Sequence, residues 1–433
     1  METLRNCLPS SVQQTLRELP ESLDETYERI LKEIKRPNRV HARRVLRCLA
    51  VAVRPLRVEE LAEVLAVDFD DAEGIPRLKP EWRWEEQELA LLSVCSSLIA
   101  IVETGDSRVV QFSHFSVKEF LTSPRLFTAG EEVSGYHIDL EPAHMILAQA
   151  CLGVLLQIQD GVDGRRPEDH PLARYAAQHW TTHAQLGKVS SRLQKGMEYL
   201  FDPGKPHLRV WLRLYNIDTG PPYSSTFYAF SITHKPADIA PLYYAALCGF
   251  YNLVEHLITK YPQDVNADGG YYMSPLVAAL AGEHFRTADL LRHNGADPDV
   301  WGRRRTRTPL HSAALYGNPA VVQKLIEYDA DVNAKDETGW TPLFWASKGR
   351  HLQDTSVVRL LLENGADVNA RAMDGSTPLH NASYLGVPEV VRLLLEKGAD
   401  IEAKGDDGKT ALQIAVEEGE GEVMRVLREH GAK

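Results

Sequence analysis

The sequence predicts a mainly α-helical chain that ends in a solenoid of stacked helix pairs. Three observations predict it. Segments of the C-terminal half recur at a nearly constant period. Capping residues precede apolar helical faces through the N-terminal half. Strand-like runs cluster in one short pair around Gly105.

Composition sets the first limits. The 433 residues suggest two to four domains. Hydrophobic content of 44% and charged content of 25% are ordinary for a globular protein. A net charge of −12 argues against a general nucleic-acid binder, which carries a basic domain. Cys7, Cys48, Cys95, Cys151 and Cys248 are scattered, with neither zinc-ligand nor redox spacing, so reduced thiols are expected. The opening "METLRNCLPSS" lacks the apolar core of a signal peptide. The longest apolar run, Leu89 to Val102, is too short to span a bilayer and holds three serines. A cytoplasmic protein with no membrane partner is the expectation.

Residues 1–19 read as a junction segment, the tail of something larger. Residues 20–125 form the first compact unit. Ser22 with Glu25 three residues on is a capping box, and Leu23, Tyr27, Ile30, Leu31 and Ile34 share the following apolar face. "VHARRVLRCLAVAV" is a second helix, ended by Arg54-Pro55. Val58–Leu65 is a third and Trp84–Ser96 a fourth. "SLIAIVE" and "RVVQFSH" then form a hairpin across Thr104–Ser107, and Ser116–Leu121 returns to helix. Helices followed by a small hairpin make a winged helix. Such domains often bind DNA, but Glu85, Glu86 and Glu88 on the recognition helix would repel phosphate.

"LPESLDETYERIL", "RPLRVEELAEVLAV" and "VVQFSHFSVKEFL" resemble the winged-helix segment that follows the nucleotide-binding domain in fungal NACHT-type NTPases of the STAND class. The resemblance covers residues 8 to 125. It implies a signalling context, with residues 1–19 leaving an NTPase domain. In that class a Met-His-Asp motif after the wing contacts the β-phosphate of ADP. Ser113-His114-Phe115 falls there, so the resemblance makes His114 a nucleotide-sensor candidate, although Phe115 replaces the acidic residue. Read from the residues alone, His114 caps the helix starting near Ser116.

Residues 126–232 read as an α-superhelical spacer, with helices in "LEPAHMILAQACLGVLLQI", "HPLARYAAQHWTTHAQL", "VSSRLQKGMEYLF" and "HLRVWLRLY". "DTGPPYSSTFYAF" marks the junction that follows.

Residues 233–433 carry the repeats. Pro241, Pro275, Pro309, Pro342, Pro378 and Ala411 are spaced by 34, 34, 33, 36 and 33 residues. In one repeat Thr377 is an N-cap and Pro378 sits at N1, where its missing N–H costs nothing. Val390, Val391, Leu394 and Leu395 form the stripe of a second helix, and Gly398 fits the left-handed position after it. This period with a Thr-Pro-Leu-His start resembles ankyrin repeats, about six of them. Such arrays bind proteins and have no catalytic site of their own. The polar last repeat suits a solvent-facing cap. The first, with Tyr243, Phe250 and Tyr251, should be covered, and the preceding helices are the expected cover.

Enzymatic motifs fail on inspection. Gly408-Lys409-Thr410 would need a glycine at 403 to make a phosphate loop, and Ala403 is there. His179 and His183 have zinc-protease spacing, but Trp180 stands where the glutamate is required. His311 and His380 recur at one repeat position and read as scaffold. No catalytic residue, cofactor or metal ligand is assigned. The expected binding surface is the concave face: Trp301, Arg304, Arg305 and Arg307 on one tip, Glu337 and Trp340 on the next, Met373 beyond, with Tyr316 and Tyr384 ending first helices. Aromatic and arginine residues dominate binding hot spots. The basic run "WGRRRTR" in an acidic chain suits an acidic peptide. The longer "KGRHLQDTS" loop of the fourth repeat is a second contact or a neutral insertion. The function expected is non-catalytic protein recognition as the sensor or regulatory part of a NACHT-type signalling protein. A NACHT NTPase domain is a second expected partner. The alternatives are part of a nucleotide-dependent switch whose phosphate-loop domain lies elsewhere, and a winged-helix DNA binder.

Overall fold

A computed structural model describes residues 22–69, 75–105, 107–128, 130–158, 169–217, 240–267, 269–270, 272, 274–300, 307–348 and 354–433. The chain divides into two compact units, Met1–Ile217 and Asp218–Lys433. Both are mainly helical.

In the first unit, α1 (Leu23–Glu33) starts at Ser22, whose Oγ accepts from the Glu25 amide at 3.2 Å. Tyr27, Leu31 and Ile34 are buried as expected. Leu23 is not: it is 61% exposed on the first turn, where Asp24 pairs with Arg125 in solvent. Helix α2 (Arg39–Val51) buries Ala42, Val45, Leu46 and Cys48. After Pro55 come β1 (Leu56–Arg57) and α3 (Val58–Leu65), then the paired β2 (Val67–Asp68) and β3 (Arg77–Leu78). Helix α4 (Gln87–Cys95) is shorter than the span predicted from Trp84 to Ser96. Before it Arg83 bonds the Asp169 carbonyl at 2.7 Å, and after it Ser96–Leu98 tighten into a 3₁₀ turn. Strands β4 (Ile99–Thr104) and β5 (Ser107–Phe112) pair antiparallel with Thr104 opposite Ser107. The sheet order is β1-β5-β4. The two-residue β1 shows no alternation to read, so the sequence reading lacks it. Apart from the small β2–β3 pair, the order from α2 to β5, helix–strand–helix–helix–strand–strand, is a winged helix.

Helix α5 (Phe115–Thr122) follows, then α6 (Glu131–Ser134) and α7 (Leu140–Leu155). The α7 positions Leu147, Ala148 and Ala150 to Leu155 are buried, which requires neighbours on nearly every side. Those neighbours include α2 and α8 (Ala173–Ala184). Two short helices, α9 (Val189–Arg192) and α10 (Gln194–Leu200), precede α11 (His207–Leu214). Trp180 and Trp211 meet edge to face at 5.1 Å and Phe201 lies 5.9 Å from Trp211, forming the aromatic core of this part.

The second unit is an array of helix pairs. They are α12/α13 (Pro241–Leu247, Tyr251–Lys260), α14/α15 (Pro275–Ala281, Phe285–His293), α16/α17 (Pro309–Tyr316, Pro319–Glu327), α18/α19 (Pro342–Ala346, Ser356–Glu363), α20/α21 (Pro378–Tyr384, Pro388–Glu396) and α22/α23 (Ala411–Glu418, Gly421–Glu429). Each first helix begins at the residue the period marks. Leu276, Leu310, Leu343 and Leu379 from the first helices are buried, as are Leu291, Leu325, Leu361 and Leu394 from the second. Tyr243 is buried within the array, where its hydroxyl accepts from the Tyr272 amide at 3.1 Å. Phe250 is also buried, and Tyr251 lies 5.3 Å under the Arg286 guanidinium.

Candidate protein-binding surface

The array presents its tips in register through a few repeated bonds. Gly339, Gly375 and Gly408 turn the hairpin tips with φ of 78°, 71° and 76°. The Met373 amide donates to the Thr338 carbonyl at 3.0 Å, and the Asp406 amide to the Asp374 carbonyl at 2.9 Å, so adjacent tips are bonded directly. Below them, Asn333 donates to the Gly365 carbonyl at 2.9 Å and accepts from the Asp367 amide at 2.8 Å. Asn369 does the same one repeat further on, and Asn266 two repeats back. His311 accepts from the Thr308 amide at Nδ1 (3.1 Å), leaving its Nε2 proton for the Trp340 carbonyl at 2.9 Å. His380 repeats this with Thr377 and the Lys409 carbonyl. Burial holds His311 below the usual imidazole pKa, which keeps it neutral and the pattern intact. The fourth repeat has Phe344 at this position, and the buried Thr341 Oγ1 is left without a partner.

Phe344 does something else there. Trp340 stacks on it, with centroids 4.6 Å apart, and tilts against Trp345 at 5.2 Å. The Arg307 guanidinium lies 4.1 Å above Trp345. The Lys348 ammonium is 4.6 Å from the Trp340 ring centre and 5.7 Å from that of Trp345. Asp336 fixes the group from beneath. Its Oδ2 accepts the Trp345 indole N–H at 2.8 Å, while Oδ1 accepts the Thr338 and Trp340 amides. Burial opposes ionisation of Asp336, but the bonds from Thr338, Trp345 and Trp340 outweigh it and hold the carboxyl below its usual range.

Of the binding residues expected from sequence, Arg307 and Trp340 meet in this cluster. Glu337 is exposed on the same tip, and Met373, 73% exposed, is on the adjoining one. Tyr316 and Tyr384 end α16 and α20, two repeats apart, and both are exposed. Trp301, Arg304 and Arg305 lie outside the described residues. The sequence reading missed Trp345, Lys348 and Asp336. A signal existed: Trp345 stands where Ser312 and Asn381 stand in the flanking repeats. On the other side, α17 and α19 border a shallow groove of about 440 Å³ lined by Pro319, Gln323, Thr355 and Arg359.

The remaining candidates have local partners. His114 caps α5, its Nδ1 accepting from the Ser116 amide at 3.3 Å and bonding the Ser116 hydroxyl at 2.6 Å. His183 is buried in a relay, with Nδ1 at 2.8 Å from His144 and Nε2 at 2.9 Å from the Tyr175 hydroxyl. Among the described residues there is no cluster of three or more His, Cys, Asp or Glu that could hold a metal ion. Lys409 extends from a hairpin tip to pair with Glu417. Glu88 on α4 pairs with Arg108 at 2.7 Å, and Glu85 and Glu86 are exposed before it. No helix among the described residues is long and apolar enough to cross a membrane.

The fold is that of a repeat array together with a winged helix. Residues 276–372 and 353–433 match the family profile of ankyrin repeats in three copies, and residues 27–129 match the winged helix domain of GPI inositol-deacylase. The chain is similar to azaphilone pigments biosynthesis cluster protein L of Monascus ruber, 32% identical over 300 residues, which are 65% of this chain and 61% of that protein. It also resembles ankyrin repeat and SAM domain-containing protein 6 of Mus musculus, 39% identical over 100 residues (23% of this chain, 11% of that one). Ankyrin repeat protein nuc-2 of Neurospora crassa is 35% identical over 117 residues (27% and 11%). The chain thus spans about three fifths of the first relative and a tenth of the other two. Ankyrin repeats and these ankyrin-protein relatives support a protein–protein interaction role.

Proposed function

We propose that this chain is a non-catalytic recognition protein, serving as the sensor or regulatory part of a NACHT-type signalling protein. The observation that carries the reading is the aromatic and cationic cluster of Arg307, Trp340, Trp345 and Lys348, spanning a hairpin tip and the first helix of the fourth repeat. Hot spots of interfaces are enriched in these residue types. A winged helix preceding the array supports the signalling context, because that order of domains is the one the sequence resembles.

Site-directed photo-crosslinking tests it. A photoreactive residue is placed at Glu337 or Met373 on the tips, or at Gln323 on the second-helix side, and the full chain is irradiated in extracts of its own cells. The reading expects one protein crosslinked from both tips and not from Gln323. Crosslinking only from Gln323, or none from either tip, would overturn it.

A further inference from the structure

We infer that Arg307 and Lys348 form a carboxylate subsite, taking a glutamate or aspartate side chain of an acidic peptide against the Trp340–Trp345 platform. The inference rests on the recognition reading above and gives it a chemistry.

The first ground is the state of the two cations. Several cations on the array helices are neutralised. Arg392 pairs with Glu389 and Glu422, Lys324 with Asp289 and Glu327, and Arg425 with Glu429. Arg307 and Lys348 instead lie over indole rings, and neither has a carboxylate partner among the described residues. Asp336, the carboxylate of this cluster, cannot serve. It is buried and already accepts from Thr338, Trp340 and Trp345. Among the described residues, two positive charges therefore stand over this platform without a direct carboxylate partner, on a chain whose net charge is −12.

The second ground is geometry. A guanidinium stacked on an aromatic face has its plane covered, while its N–H edge remains free for a two-point bond to a carboxylate. Arg307, 4.1 Å above Trp345, is in that state. Lys348 adds a point charge on the same platform. The ring cannot swing away, because its N–H is held by Asp336 at 2.8 Å. The side chain is thus placed in advance, which reduces the ordering cost of binding. Trp345 occupies a position filled by Ser312 and Asn381 in adjacent repeats, so the site belongs to the fourth repeat and not to the fold in general. Met373, exposed on the adjoining tip, offers apolar contact to a residue flanking the acid.

Fluorescence anisotropy on the full chain decides it. The probes are a short labelled peptide of alternating glutamate and leucine, its glutamine counterpart, a phosphoserine–leucine peptide and a labelled single-stranded oligonucleotide. The glutamate peptide is expected to bind most tightly, and to weaken as salt is raised. Arg307→Gln and Lys348→Gln should each weaken it about tenfold, the size of one charge-assisted bond. Arg307→Lys should recover only part of the loss, because it keeps the charge without the fork. Arg359→Gln, an exposed arginine on α19, is the control and should bind as the parent does. Equal binding of the glutamate and glutamine peptides overturns the inference. So does no binding of the glutamate peptide, no effect of the first two variants in chains that melt normally, or tighter binding of the phosphopeptide or oligonucleotide. If the tips crosslink a partner while the glutamate peptide fails, recognition stands and the carboxylate subsite falls.

Discussion

The two units are held by ties of different reach. In the array the ties join a residue to one in the next repeat. His311 reaches Trp340, 29 residues on, and Asn333 meets Asp367, 34 residues on. In the first unit Glu63 accepts from the Leu172 amide across 109 residues, and Tyr175 accepts from Val53 across 122. The chemistry differs too. Array ion pairs such as Arg392–Glu422 lie in solvent, where screening leaves each of them little to contribute. The first unit buries two carboxylates on one helix, Glu60 and Glu63. Glu60 is held by Arg54 and Arg57, and Glu63 by Arg83 and the α8 N-terminus. Burial raises Glu63 despite these bonds, whereas for Glu60 the bonds from Arg54 and Arg57 outweigh burial and lower it. Array stability is therefore spread over many equivalent contacts, and first-unit stability is concentrated in a few that cannot be replaced.

The largest test of that difference is Glu63→Ala. It leaves the Arg83 guanidinium and the Leu172 amide without their shared acceptor. Breaking a buried pair from one side costs about 3–5 kcal/mol. Hydrogen exchange resolved by segment should show α3 and the start of α8 losing protection, with α16 to α21 keeping theirs. A cost below about 1 kcal/mol would mean that water or another donor replaces the clamp, and the claim of concentration would fail.

Acid should separate the units by a smaller margin. Burial, with His144 and His179 adding their charge, holds His183 down to about 3. An unfolded histidine takes its proton near pH 6.5. Between those values the unfolded chain binds more protons, so stability falls as pH falls, by up to about 1.4 kcal/mol per pH unit for such a group. His41, His144, His170, His179 and His207 in the same unit are shifted down as well, each chiefly by burial. Among the described residues of the array the downward histidine shifts are those of His284 and His311. Urea unfolding followed by segment-specific probes should show the first unit losing stability more steeply from pH 6 to pH 4. An equal slope in both units would break the distinction.

The same difference in reach explains what the sequence could disclose. The array repeats its contacts, so each helix start was legible six times over, and a local cap such as Ser22 was legible once. Arg307 and Trp340 were legible as surface residues because they fall on tips. Trp345 was not, since it sits inside a first helix whose neighbours are buried. Glu60 and Glu63 look like an ordinary polar face of α3 at i and i+3. Nothing within ten residues announces Leu172 or Arg83. His183 likewise reads as one histidine among several until α7 places His144 beside it. Leu23 erred the other way: its helical spacing was right, but helix spacing does not say where a face ends.

The smallest effect tests the claim that array rungs are interchangeable. Asp299 occupies the ladder position held by Asn266, Asn333 and Asn369. Its Oδ2 accepts from the Asp331 amide at 2.9 Å, as the asparagines accept from their own next repeat. Its Oδ1 is buried and has no partner. Each asparagine uses Nδ2 to donate to a carbonyl in the following repeat, at 2.9 to 3.3 Å. The corresponding carbonyl here belongs to Asp329, whose φ of 66° matches the glycines at the other rungs. Burial raises the Asp299 carboxyl, and the nearby Asp297 and Asp331 charges add to this. Asp299→Asn keeps the acceptor, supplies the missing donor and removes a disfavoured charge, for an expected gain of about 0.5–1.5 kcal/mol at neutral pH. The sign follows from the raised pKa: the ionised form is the penalised one, so the gain is full above that pKa and its electrostatic part vanishes in acid. Urea midpoints at neutral and acid pH measure both parts. A loss of stability at neutral pH would show that the second rung has a bonding scheme of its own, and that the array is less uniform than its period implies.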